Sequence, residues 1–168
     1  GVLATFSLEP YKIYPLIFCF SFAIYGISKV DNLKEVFYLS FSFAFGWFLA
    51  GLYWISNAFL VKSGFYIFLM PFAAALLPLF LSLTWCMAFL FAKLISPKIG
   101  EIHLNTIILL SIFEYLRGKL LNFPWLMPGS FFASDEVLIQ GFSFIGSYSM
   151  NLVFLIITIL PILIIKYK

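Results

Sequence analysis

The stretch VFYLSFSFAFGWFLAGLYWISNAFLV, Val36–Val61, holds no Asp, Glu, Lys or Arg. It is longer than the roughly 20 residues a helix needs to cross the hydrocarbon core of a bilayer. Two further runs share the property, Ser63–Ala92 and Val137–Ile165. Backbone polar groups in lipid must bond internally, so runs of this length predict helices. A membrane β-barrel would show segments of about ten residues with alternating polarity instead, and no such alternation is sustained here. Composition agrees: the chain is 64% hydrophobic and 10% charged, against about 45–50% and 25% for soluble domains. The expected fold is all-α, a polytopic transmembrane helical bundle forming a single domain over residues 1–168.

Working outward from that stretch gives about five main membrane segments: residues 11–28, 35–61, 65–93, 102–118 and 147–165. Pro10 and Pro15 mark the start of the first, because proline is tolerated at helix starts. Pro71 and Pro78 predict a kink or a late start in the third. The fourth has only a short charge-free stretch, Ile102–Phe113, so it spans only if Glu114 and Arg117 enter the membrane or sit at its edge. A re-entrant or interfacial loop is expected near residues 119–135. Gly1–Leu8 fits the tail of an earlier helix, and a start at Gly rather than Met suggests a piece of a longer protein.

Alternating the segments places Lys29, Lys34, Lys93, Lys98, Lys166 and Lys168 on one face, and Lys12, Lys62, Arg117 and Lys119 on the other. The positive-inside rule makes the lysine face cytoplasmic. The turn after the second segment and the long 119–135 stretch then fall together on the outer face. The net charge of +3 gives no case for nucleic-acid binding. Cys19 and Cys86 lie in separate apolar segments and read as small hydrophobes. No His, Asp or Cys stands at metal-ligand spacing, so neither a metal nor a cofactor is expected. The single histidine, His103, reads as an interfacial residue. Gln140, Ser147, Ser149 and Asn151 read as hydrogen bonders between helices.

Two blocks break the apolar monotony. In GWFLAGLYWISN, Gly46–Asn57, the glycines permit close helix approach. Its polar-tipped aromatics, including Trp54, form either an interfacial belt or the rim of a lipid or acyl-chain cavity. In EYLRGKLLNFPWLMPG, Glu114–Gly129, Glu114 and Arg117 stand at i,i+3 and share a helix face. Ionisable groups at membrane depth are costly and point to function. The pair either ends a short helix at the interface or meets a headgroup, arginine being suited to phosphate. Gly118 is placed to stop that helix, and Phe123, Pro124 and Trp125 to continue as loop. No catalytic constellation is visible.

The succession of GLYW at Gly51–Trp54, EYLRG at Glu114–Gly118, FPW at Phe123–Trp125 and then Gly129 resembles apolipoprotein N-acyltransferase. LEPY at Leu8–Tyr11, and Gln140, Gly146 and Asn151 before the last helix, resemble the same family. The resemblance covers nearly the whole chain. It implies a bacterial inner-membrane enzyme that moves an acyl chain from a phospholipid through a cysteine thioester to the α-amine of a lipoprotein's diacylglyceryl-cysteine. The chemistry would belong to a nitrilase-like domain with Glu, Lys and Cys, which is absent from this chain. Hence no catalytic residue is assigned: Cys19 and Cys86 lie in apolar segments, where a thiol is a poor nucleophile. The resemblance implies substrate contacts at Trp54, Glu114, Arg117, Phe123, Pro124 and Trp125. The implied partners are membrane phospholipid and the modified apolipoprotein, handled by a monomer. The competing expectation is a non-enzymatic scaffold or a small transporter subunit. A transporter should carry ionisable groups near the midplane and repeated broken helices, whereas these charges sit at segment ends.

Overall fold

A computed structural model describes residues 1–57, 59, 66–96 and 99–166. Among them every regular element is helical. A short α1 (Val2–Thr5) leads through a turn to a 3-10 turn (Tyr14–Phe18) and α2 (Cys19–Ser28). Then come α3 (Leu33–Gly51), a 3-10 turn (Tyr53–Ser56), α4 (Tyr66–Ile95) and α5 (Ile99–Leu120). Two 3-10 turns, Pro128–Ser134 and Leu138–Gln140, precede α6 (Gly141–Lys166).

All five expected segments thus occur as helices. Three stretches are long and apolar enough to cross a membrane on their own: Leu33–Gly51, Phe68–Ile95 and Leu138–Ile164. The helical stretch Tyr14–Ser28 is shorter. α5 has the length but carries Glu114, Arg117 and Lys119 in its second half.

Three boundaries differ from the expectation. The second segment was expected to continue to Val61, but α3 stops at Gly51 and the chain tightens into the Tyr53–Ser56 turn; the far end of that segment, with Lys62, lies outside the described residues. Of the kink or late start expected from Pro71 and Pro78, the late start does not occur: α4 begins at Tyr66 and runs through both prolines. Gly118 does not stop α5, which reaches Leu120. The stop comes at Asn122, whose φ of 50° is a left-handed conformation that asparagine tolerates. The fifth segment begins where expected: Gly146 breaks α6 just before Ser147, with φ 77° and ψ 167°.

The core is aromatic. Phe20 of α2 meets Phe43 and Trp47 of α3, Trp85 of α4 and Phe154 of α6, with ring centroids 5.0–5.9 Å apart. Edge-on pairs of this kind add roughly 0.5–1.5 kcal/mol each beyond area burial. The Ser21 hydroxyl donates to the Thr158 carbonyl and ties α2 to α6. Gly46 lets α1 approach α3: a Cβ there would lie 3.1 Å from the Val2 nitrogen. At one end of the bundle Lys93 pairs with Asp31 at 3.0 Å. That contact puts the α2–α3 loop and the end of α4 on one side, as the alternation predicts. His103, expected at the interface, is instead 1% exposed.

Candidate functional site

The site begins with a charged pair inside the bundle. Glu114 and Arg117 sit one turn apart on α5, 1% and 2% exposed. Arg117 Nη2 reaches Glu114 Oε2 at 2.5 Å, and Nε reaches Oε1 at 3.2 Å. A buried ion pair is tolerable only when its remaining donors and acceptors are also satisfied. Here they are. The Trp85 indole N–H on α4 donates to Glu114 Oε1 at 2.6 Å. Arg117 Nη1 donates to the carbonyls of Phe123 at 3.1 Å and Trp125 at 3.0 Å. The guanidinium also lies 5.3 Å from the centroid of the Phe48 ring on α3, within cation–π range. Three helices therefore converge on this ion pair, and its arginine holds the loop after α5.

The next residue of the loop is held from another side. Leu126 has φ 57°, a conformation that costs a non-glycine residue of order 1–3 kcal/mol and persists only when its surroundings impose it. The Trp47 indole N–H donates to its carbonyl at 3.1 Å. Its side chain fills the space that a Cβ on Gly51 would occupy, with Leu126 Cδ2 only 2.2 Å from that position. Gly51, read from sequence as a helix-approach residue, thus admits the loop rather than a helix.

Further along, Gly129 donates its N–H to Asn151 Oδ1 at 2.9 Å. A Cβ at Gly129 would stand 2.5 Å from the Asn151 Cα. Phe131 and Phe132 then pack on Phe154 at 5.8 and 6.1 Å. The 119–135 stretch folds back alongside α6 at Asn151 and Phe154, beyond the Gly146 break, rather than lying wholly on the surface.

Of the six residues singled out from sequence, Trp54 and Trp125 meet edge to face at 6.0 Å. They are 48% and 57% exposed, the open rim of this end of the bundle. Phe123 and Trp125 supply carbonyls to Arg117, and Pro124 lies between them. Glu114 and Arg117 lie beneath the rim, with four arginine N–H contacts committed to protein oxygens. Sequence reasoning missed Trp85 and Leu126, and it read Trp47 as a belt or rim aromatic, whereas Trp47 is fully buried. Asn151 was expected to bond between helices; it bonds a loop amide instead. An apolar groove of about 660 Å³, lined by Pro15, Phe18, Phe22, Tyr25 and Pro161 among others, opens between α2 and α6. It shares no lining residue with the rim. Among the described residues no cluster of three His, Cys, Asp or Glu could hold a metal.

This arrangement has no nucleophile beside a base. It can fix a loop and present aromatic rings at the end of a helical bundle. Fold and site together define an integral membrane domain with one structured, aromatic end. The chain belongs to the apolipoprotein N-acyltransferase N-terminal domain family, which it matches over residues 1–160.

Relatives include the apolipoprotein N-acyltransferase of Rhodopseudomonas palustris, 33% identical over 159 residues that cover 90% of this chain and 30% of the relative. That of Rickettsia prowazekii is 31% identical over 162 residues, covering 94% of this chain and 32% of the relative. That of Sinorhizobium fredii is 30% identical over 176 residues, covering 98% and 33%. The chain thus spans about a third of the length of these relatives. No solved structure matches it.

Proposed function

We propose that this chain is the lipid-handling membrane part of an acyltransferase of the bacterial inner membrane. The complete enzyme would transfer an acyl chain from a phospholipid to the N-terminal diacylglyceryl-cysteine of lipoproteins, using a nitrilase-like domain outside these residues. In this reading the aromatic end faces outward, toward that domain. Trp54, Phe123, Pro124 and Trp125 line the entrance through which lipid substrates reach it. Arg117, held by Glu114, keeps the entrance loop in shape.

The observation that carries the reading is the Trp54–Trp125 contact at 6.0 Å, directly over a loop whose carbonyls are fixed by a buried arginine. Tryptophan suits a lipid boundary because its ring is apolar and its N–H polar. The burial of Arg117 favours loop ordering over a direct phosphate contact.

The test uses the full-length enzyme carrying this domain. Arg117→Ala and Trp125→Ala should each lower acyl transfer at least tenfold at unchanged protein level. Undiminished transfer in both variants would remove the entrance role.

A further inference from the structure

The apolar run Val137–Ile165 is one stretch in sequence but two in structure. Gly146 divides it with a backbone conformation outside the helical region. The part of α6 beyond Gly146 holds about 20 residues, or ~30 Å of helix at 1.5 Å per residue. That length alone covers the hydrocarbon core. The whole apolar helical stretch, Leu138–Ile164, is 27 residues and would extend ~40 Å if straight. The piece before Gly146 is therefore surplus to the crossing, and the glycine turns it aside.

Its two sides differ. The inner side is seated on the bundle: a Cβ on Gly141 would stand 2.8 Å from the Met150 sulfur, and Phe142 packs against the core. The outer side is bare and largely apolar, with Phe144 87% exposed, Val137 78% exposed, and Leu138, Ile139 and Ile145 exposed beside them; Gln140 and Ser143 are its exposed polar side chains. Contiguous apolar exposure marks an interaction surface. Charge fixes where it lies. Asp135 and Glu136 precede the segment, and Asp135 Oδ1 accepts from the N–H groups of Val137 at 2.9 Å and Leu138 at 3.0 Å, so its start is held by a carboxylate that belongs in water or among headgroups. The segment is thus continuous with a spanning helix at one end and tied to an aqueous group at the other.

We propose that Val137–Ile145 lies in the plane of the membrane surface at the aromatic end, with Val137, Phe144 and Ile145 inserted among the lipid acyl chains of that leaflet. An in-plane apolar face of this kind sits ~5–10 Å into the headgroup–acyl boundary. It would set the height of the adjoining Pro128–Ser134 loop relative to the lipid. The inference stands apart from the acyltransferase reading, since it needs only a bilayer.

The experiment places a nitroxide label at Phe144→Cys, and separately at Val137→Cys, in a chain carrying Cys19→Ala and Cys86→Ala. The protein is reconstituted into vesicles of phosphatidylethanolamine and phosphatidylglycerol. Both labelled positions are exposed, so neither substitution disturbs the core. At both, collisions with oxygen should exceed those with a water-soluble nickel chelate several-fold, at a depth just below the phosphates. Equal or greater access to the chelate would place the segment in water and overturn the proposal. So would a depth near the bilayer centre, which means one continuous span. Shielding from both probes would overturn it too, since a protein surface would then cover the face.

Discussion

Trp85 on α4 donates its indole N–H to Glu114 on α5 at 2.6 Å, so the carboxylate that holds Arg117 is itself held by a neighbouring helix. Trp85 is also wedged among Phe20, Phe43, Trp47 and Phe48, which fixes the direction of its N–H. Trp85→Phe keeps most of the ring packing and removes the donor. A hydrogen bond to a charged group is worth about 1.5–3 kcal/mol. The unfolding free energy in detergent should fall by an amount in that range, with helix content unchanged.

Glu114 and Arg117 should behave as one unit. Removing either partner leaves a buried charge uncompensated, at a cost of about 3–5 kcal/mol. The Glu114→Gln, Arg117→Met double variant should lose clearly less than the sum of the two single losses. A double-mutant cycle by denaturant unfolding measures this coupling, and additive losses would show that the pair does not interact.

Gly51→Ala should push Leu126 out of its seat, because the new Cβ would stand 2.2 Å from a Leu126 methyl. Overpacking of this kind costs about 1–3 kcal/mol. Combining Gly51→Ala with Leu126→Ala should recover most of the stability lost in the single glycine variant. Fluorescence of the Trp54–Trp125 rim reports the same loop movement.

Gly129→Ala should be worse than Gly51→Ala. The obstacle at Gly129 is the Asn151 backbone, which cannot swing aside as a leucine side chain can. The expected result is a greater loss of thermal stability and a loss of protection of the Gly129 amide in hydrogen exchange.

The Asp135 carboxyl lies at the loop end, outside the spanning helices. The Leu138 N–H, then the Val137 N–H, then the field of Lys12 hold it below the ordinary carboxylate value. Its folded value is lower than its unfolded one. Its stabilising effect is therefore complete above about pH 4 and drains away as the pH falls through the lower folded value. Asp135→Asn should flatten that acid-side dependence, read as exchange of the Leu138 amide against pH.

Much of this was legible in the sequence because lipid imposes strict rules. Charge-free runs marked the helices, i,i+3 spacing marked the Glu114–Arg117 pair, and alternation brought Trp54 and Trp125 to one end. The rest depended on three-dimensional register. Nothing in segment spacing distinguishes Trp85 from any other apolar-segment tryptophan; its partner lies on another helix, 29 positions away. The seat beside Gly51, at the end of α3, is filled by Leu126, a loop residue far along the chain. The break at Gly146 agrees with a fifth segment that starts at Ser147, but its positive φ leaves no mark in hydropathy.

Arg117 grips the loop through main-chain oxygens of Phe123 and Trp125, which every amino acid carries. That part of the loop's anchoring is thus insulated from the identity of the side chains at Phe123 and Trp125. Those at the rim can be exchanged by mutation while the arginine's grip on the backbone beneath is kept.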